Sequence, residues 1–321
     1  MNSYKARIMQ KKFEIFNELP VELELETAKN LSDCDLVNWA QASKYHLALF
    51  KPMVDVRKLL HYAVHGKHDA VQLILTDDIS SMFKRDKVTD CSGREFECVS
   101  GFEYSLWALD KHMWTKMIAC IPQNEEGRKV FAKLIAQYNK INTEGVTYKL
   151  NGKTITEQHF DFNNTIIKEL QTEMDLMNAP GGQDWDAMDY HWREGVGGAQ
   201  KLLPMHIVDE YCSNEPFYPV PEFTSQPKSS RQYYNCTTDK YENWFSIDSE
   251  LSVDFAISKC ANGYGINMRA ESYRSSSCGC PVFDLDAMKA LCKIRTNDFI
   301  ELKSELENQM TLANSHQVSQ I

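Results

Sequence analysis

Residues 16–50 read FNELPVELELETAKNLSDCDLVNWAQASKYHLALF, and what they dock against decides how the rest of the chain is understood. Leu19-Pro20 opens a helix, because proline is tolerated in a first turn, where its missing N–H would have no partner anyway. Glu22, Glu24 and Glu26 follow, and acidic side chains suit the positive end of the helix dipole. Leu19, Leu23 and Leu31 give a partial apolar stripe, and Ser32–Asp33 make a break and a cap. A second helix is expected from Asp35, with Leu36, Trp39, Ala40, Ser43 and Leu47 spaced by three and four. A helical hairpin of this size cannot bury its faces alone and needs the following domain, a partner, or both.

Chain-wide bounds narrow the function classes. The 321 residues are 43% hydrophobic and 25% charged, ordinary for a globular protein, and carry a net charge of −10. That balance argues against nucleic acid or an anionic membrane as the main partner, because both need clustered positive charge. No run of about 18 apolar residues predicts a transmembrane helix. The basic lead-in MNSYKARIMQKKF lacks the apolar core of a secretory signal. Ten cysteines at irregular spacing in a large chain point to reduced thiols rather than a disulfide framework.

The motif Leu19-Pro20-x-Glu22-Leu23, then Leu31-Ser32-x-x-Asp35-Leu36, then Ala40-Gln41-Ala42-Ser43-Lys44 resembles an F-box, with Thr27 and Ala28 departing from the family's usual Ile and Leu. The resemblance implies docking on the adaptor Skp1, and through it on cullin-1 and a RING subunit of a ubiquitin ligase. Leu19, Pro20, Leu23, Leu31 and Leu36 would be the Skp1-binding residues. A helix-in-groove interface of this kind concentrates its energy in a few anchors. The chain would then recruit an unidentified target protein and make no covalent bond itself.

The following residues, 56–122, contain LLHYAVHGKHDAVQLIL, which resembles an ankyrin helix pair; Phe102–Ile118 gives a second, more divergent pair. Stacked repeats need about three neighbours, so this segment should pack on what flanks it. His61, His65 and His68 lie at helical spacing, but the ankyrin pattern accounts for His61 and His68 without a metal. Trp107, His112 and Trp114 read as packing. Thr89–Arg94 reads as a turn. Arg128–Ile141 predicts a helix, Asn151-Gly152 a hairpin within Val146–Thr156, and Asn163–Met177 another helix, stopped at Ala179-Pro180-Gly181-Gly182.

Beyond residue 183, Asp184, Asp186, Asp189, His191 and His206 invite an acid–base or metal reading, yet no HExxH, DxDxDG or CxxC spacing is present. The Gly195–Gly198 run is expected to be a loop leading into a helix over 199–211. Residues 213–230 form a proline- and aromatic-rich loop, one candidate for target recognition. Cys278-Gly279-Cys280 is a CxC without a ligand set; Cys278 with His191 or His206 is the nucleophile reading. Pro281–Met310 reads as helix.

Glu301, Glu305 and Glu307 crowd the C-terminal end, similar to the glutamate-rich signal of type IV-secreted effectors of Legionella-type bacteria. The phrase GAQKLLPMHIVDEYC also looks like segments of helical effectors of that group. That resemblance implies export into a host cytoplasm.

The expected architecture is therefore mainly α, with an F-box helical bundle over 1–55, ankyrin-like helix pairs over 56–122, and a larger helical target-binding domain with a small β-hairpin over 123–321. No catalytic, cofactor or metal residues are assigned. The alternatives are a helical effector enzyme with a Cys/His or Asp/His site within 184–280, and a scaffold or cytoskeleton-binding protein.

Overall fold

The computed structural model describes residues 19–181, 184–259, 265–268 and 281–318. The chain is mainly α with small, largely antiparallel sheets. It divides into two compact units, Met1–Lys58 and Leu59–Ile321, so the expected boundary at 122/123 falls inside the second unit.

The first unit is built from α1 (Val21–Asn30), α2 (Asp33–Gln41) and the part of α3 (Lys44–Val64) that precedes Leu59. Pro20 sits just outside α1 as its N-cap, and Glu22 and Glu24 fill the first turn. The Ser32 hydroxyl accepts the Asp35 N–H at 3.1 Å, so α2 starts two residues earlier than expected. Ser32→Ala should lower the stability of this unit by about 1 kcal/mol, read by chemical denaturation followed through Trp39. Ala28, Leu36, Ala40 and Phe50 form the buried centre, flanked by Leu25, Leu31, Trp39, Leu49, Met53 and Val54. Trp39 and Phe50 lie 4.4 Å apart, ring centre to ring centre. The Arg57 guanidinium closes the unit: it donates to the carbonyls of Lys29 and Leu31 at 2.8 Å each and reaches Asp33 at 3.2 Å. Those carbonyls end α1, where no intrahelical donor remains.

The second unit starts with the C-terminal turns of α3 and α4 (His68–Asp77), and a 3₁₀ turn over Ile79–Phe83 leads to β1 (Arg85–Thr89) and β2 (Glu95–Ser100). Helices α5 (Gly101–Trp107), α6 (Lys111–Ala119) and α7 (Glu125–Glu144) precede the hairpin β3 (Val146–Leu150) and β4 (Lys153–Glu157). The hairpin turns on Asn151 and Gly152, with φ of 50° and 76°, the conformation that makes Asn-Gly the expected pair. The four strands form a meander in the order β1-β2-β3-β4. Strands β1 and β2 went unread in the sequence, where only their connecting turn was seen.

A π-helical turn over Asn163–Ile167 runs into α8 (Lys168–Met177), and α9 (Trp185–Tyr190) runs into a second π-helical turn over His191–Gly197 and then α10 (Gly198–Lys201). The expected loop at Gly195–Gly198 is thus helical. Gly197 is needed there because a Cβ would stand 2.9 Å from the Ser252 backbone. The single helix expected over 199–211 is broken before Pro204, and α11 (Met205–Tyr211) follows. A second sheet, in the order β6-β5-β8-β7, joins β5 (Gln232–Asn235), β6 (Lys240–Asn243), β7 (Ala256–Ser258) and β8 (Ile266–Met268), with β5 and β8 parallel. The long α12 (Pro281–Val318) packs on α7 and α8.

Trp107 and Trp114 are buried in this unit, and Phe217 and Phe223 pin the 213–230 loop to it. Among the described residues no helix is long and apolar enough to cross a membrane. The seven described cysteines (Cys34, Cys91, Cys98, Cys120, Cys212, Cys236, Cys292) are free thiols.

Candidate docking surface and the buried ionic network

The apolar residues singled out in the first unit separate into two groups. Pro20 is exposed and Leu23 is 52% exposed, whereas Leu19 is half-buried. Leu31 packs on the unit's centre, and Leu36 is buried at 1% exposure. Leu36 is therefore a core residue, not a surface anchor: three-to-four spacing identifies an apolar face but not whether that face points into the unit or out of it. Ala28 is likewise core. Val21, Val37 and Tyr45, which the spacing missed, and Leu47, which it placed on the apolar face of the second expected helix, are exposed by 36% to 52%. Tyr45 is held in place: its hydroxyl donates to the buried Glu24 carboxylate at 2.9 Å, a bond that raises the phenol's pKa. Glu24, expected in the first turns to suit the helix dipole, is 1% exposed and anchors α1 to α3.

In the second unit, polar residues gather around α11, all of whose residues are buried. Asp209 accepts from Arg231 at 2.9 Å and 3.2 Å, and Arg231 also donates to the carbonyls of His65 and Gly66. Glu210 lies 3.6 Å from Arg295; burial pushes its carboxyl up to about 7, against the pull of Arg295 and Lys259. Lys259, fully buried, donates to Ser213 Oγ at 2.7 Å and to the Glu210 carbonyl, and desolvation lowers it to about 8. Arg295 reaches Asp298 at 3.1 Å and His112 Nε2 at 2.9 Å. Burial, then the Arg295 charge, lowers His112 to about 4, so it accepts as a neutral ring.

Asp110 caps α6 through the Met113 N–H at 3.0 Å and faces His68 Nε2 at 3.5 Å; Gln226 completes His68 at 2.9 Å. His206, in the same surroundings, has no hydrogen-bond partner at either ring nitrogen among the described residues, and burial lowers it to about 3.

The enzyme candidates are dispersed. His191 is gripped by Glu173 at Nδ1 and Glu169 at Nε2, both at 2.9 Å; the Glu173 bond leads in raising its pKa. His206 belongs to the Asp110 surroundings, a different network. Asp184 caps α9 through the Ala187 N–H, Asp186 is exposed, and Asp189 is half-buried. Cys278 and Cys280 lie outside the described residues. The His61 and His65 rings lie 4.0 Å apart, tilted by 34°, and His65 bonds the His61 carbonyl. No group of three or more His, Cys, Asp or Glu among the described residues could hold a metal ion. Among the described residues, the buried network is satisfied by its own members except at the His206 ring and at Nε of Arg295, and acts as internal scaffolding.

The molecule thus belongs to a class of mainly α, two-unit proteins with exposed apolar side chains on a small helical unit and an ionic core in the larger one. More particularly, the chain belongs to the CBUA0006 family. The uncharacterized protein CBUA0006 of Coxiella burnetii (strain RSA 493 / Nine Mile phase I) is 30% identical over 263 residues, covering 76% of this chain and 73% of its own length. The profile of the CBUA0006 C-terminal domain matches residues 165–306, which include the His191 clamp, α11 and the second sheet. No solved structure matches.

Proposed function

We propose that the chain is an F-box adaptor: residues 16–50 dock on Skp1, and the larger unit presents a target protein to the cullin-RING ligase. The observation that carries this reading is the LPxEL…LSxxDL spacing, which coincides with a three-helix unit leaving Pro20 and Leu23 in solvent. Val21, Val37, Tyr45 and Leu47 enlarge the apolar surface available to a partner. Large apolar side chains held in solvent on so small a unit favour a docking role. The LLHYAVHGKHDAVQLIL helix pair, α3 and α4 with Gly66 at φ 59° between them, supports the ankyrin-like reading of the next segment.

The Coxiella burnetii source of the relative supports a bacterial origin, and the exposed Glu301, Glu305 and Glu307 of α12 supply the acidic C-terminal end that the export reading needs.

The test is direct binding of the purified full chain to Skp1 by calorimetry, repeated with Pro20→Ala/Leu23→Ala. Each exposed anchor contributes roughly 2 kcal/mol, about 4 kcal/mol for the pair, so the double variant should bind about a thousandfold more weakly with unchanged thermal stability. Undiminished binding by the double variant, or no binding by the native chain, overturns the proposal.

A further inference from the structure

The meander sheet comes apart in its middle. Strand β2 pairs with β1 from Arg85↔Ser100 to Thr89↔Glu95, and β3 pairs with β4 at five successive positions. Between β2 and β3 the register holds one pair, Glu95↔Lys149. Beyond it the strands diverge for local reasons. The register of β1 and β2 slips between Asp86 and Val88, a bulge that leaves Glu97 and Cys98 both exposed. β2 then enters α5 through the Ser100/Glu103 capping box. On the other side, β3 leaves α7 through Gly145 at φ 75°, where a Cβ would stand 2.6 Å from the Glu157 carbonyl oxygen. The facing edges of 97–99 and 145–147 therefore have no register partner across the gap.

The wedge between them is a cavity of about 360 Å³. Its floor is apolar: Val99, Ile141, Val146 and Tyr148 are all buried. Its lining carries four carboxylates (Glu95, Glu97, Glu103, Glu144) against two ammonium groups (Lys140, Lys149). Glu103 is neutralised from beneath by Arg85, and Glu97 by Lys149 at 3.1 Å, which leaves Glu95 and Glu144 to outweigh Lys140 at the rim. An apolar floor under an acidic rim suits a long side chain with an aliphatic stem and a cationic head.

We propose that this fork is a recognition site for an extended peptide segment bearing a lysine or arginine. The segment's main chain adds to a facing strand edge, as in strand addition to an open sheet. Its basic side chain lies along Val99, Val146 and Tyr148 and ends between Glu95 and Glu144. The assignment rests on the adaptor reading only in naming that peptide as part of the recruited target.

The probe is a fluorescein-labelled, end-blocked peptide of alternating lysine and valine, titrated by anisotropy into the full chain, with its glutamate–valine counterpart as control. The cationic peptide should bind. Glu95→Lys/Glu144→Lys, which reverses the rim, and Cys98→Trp, which fills the exposed mouth, should each weaken binding at least about tenfold without loss of thermal stability. Hydrogen exchange at saturation should slow at 97–99 and 145–147. Undiminished binding by either variant, equal binding of the anionic peptide, no binding at all, or no slowing of exchange would each overturn the assignment. Skp1 binding measured on the same variants keeps the two readings apart. A chain that binds the peptide but not Skp1 retains the fork and loses the adaptor role, and the reverse result does the opposite.

Discussion

Arg94→Met should destabilise the larger unit by about 4 kcal/mol, because it breaks a buried ion pair from one side only. Arg94 is 2% exposed. Its guanidinium reaches Asp90 at 3.3 Å and donates to the Leu202 carbonyl at 2.7 Å. It also lies 5.2, 5.6 and 5.5 Å from the ring centres of Trp107, Tyr148 and Phe160. Burial already pushes the Asp90 carboxyl above its ordinary range, and the Arg94 charge is the first influence opposing that push. Methionine keeps much of the stem's volume but leaves Asp90 without its cation. Adding Asp90→Asn should recover about 1–2 kcal/mol, since an amide oxygen still accepts the Ser92 and Arg94 N–H groups without an uncompensated charge. Denaturant titration followed by tryptophan fluorescence measures both; a loss below about 1 kcal/mol for Arg94→Met would show that the pair contributes little.

His206→Met should leave stability near pH 7.5 unchanged or raised, and should make the protein about 2 kcal/mol more stable than the native chain near pH 5. The folded chain holds His206 neutral down to about 3, while the unfolded chain takes up its proton near 6.5. The contribution is therefore full above the unfolded value and falls away as the pH drops through it. His112, lowered to about 4, works in the same direction. Other groups work against them. His191 and His68 are raised, so their contribution is present below about 6.5 and is lost as pH rises through their folded values. Glu210, raised to about 7, gains on acidification. The native pH profile sums these opposing slopes, and the difference between variant and native chain isolates position 206. At neutral pH the substitution removes two buried nitrogens that have no hydrogen-bond partner, a change that costs nothing in lost bonds. Equal stability differences at the two pH values would show that His206 titrates normally.

Both experiments act on residues whose role could not be read along the chain. Local rules serve well wherever a few neighbouring residues set the backbone: Ser32 as a cap and Asn151-Gly152 as a hairpin turn. They serve poorly where partners are far apart in sequence. Strands β1 and β2 pair across a turn that was legible, but their short polar-rich segments RDKVT and EFECVS show no clean alternation, because a bulge resets which side chains face out. The second sheet needs residues 234 and 266 to meet, and no local pattern announces that. Gly195 and Gly197, read as loop formers, sit instead in a π-helical turn whose close approaches to His191 and Ser252 admit no side chain.

What the sequence alone determined is the helical character of the chain, the position of most helices, the Asn-Gly hairpin and the F-box-like spacing of Leu19 to Leu36, since each depends on residues within a few turns of one another. Only the tertiary structure decided which of those apolar residues are available. Leu36 and Ala28 turned inward while Pro20 and Leu23 stayed in solvent, because helix spacing defines a face and only the packing of three helices around Phe50 gives that face a direction. It also decided that Glu24, His206, Asp110, Arg94 and Lys259, ordinary polar letters in the sequence, are buried structural groups. Their environment is made largely by residues tens to hundreds of positions away, such as Leu202 beside Arg94.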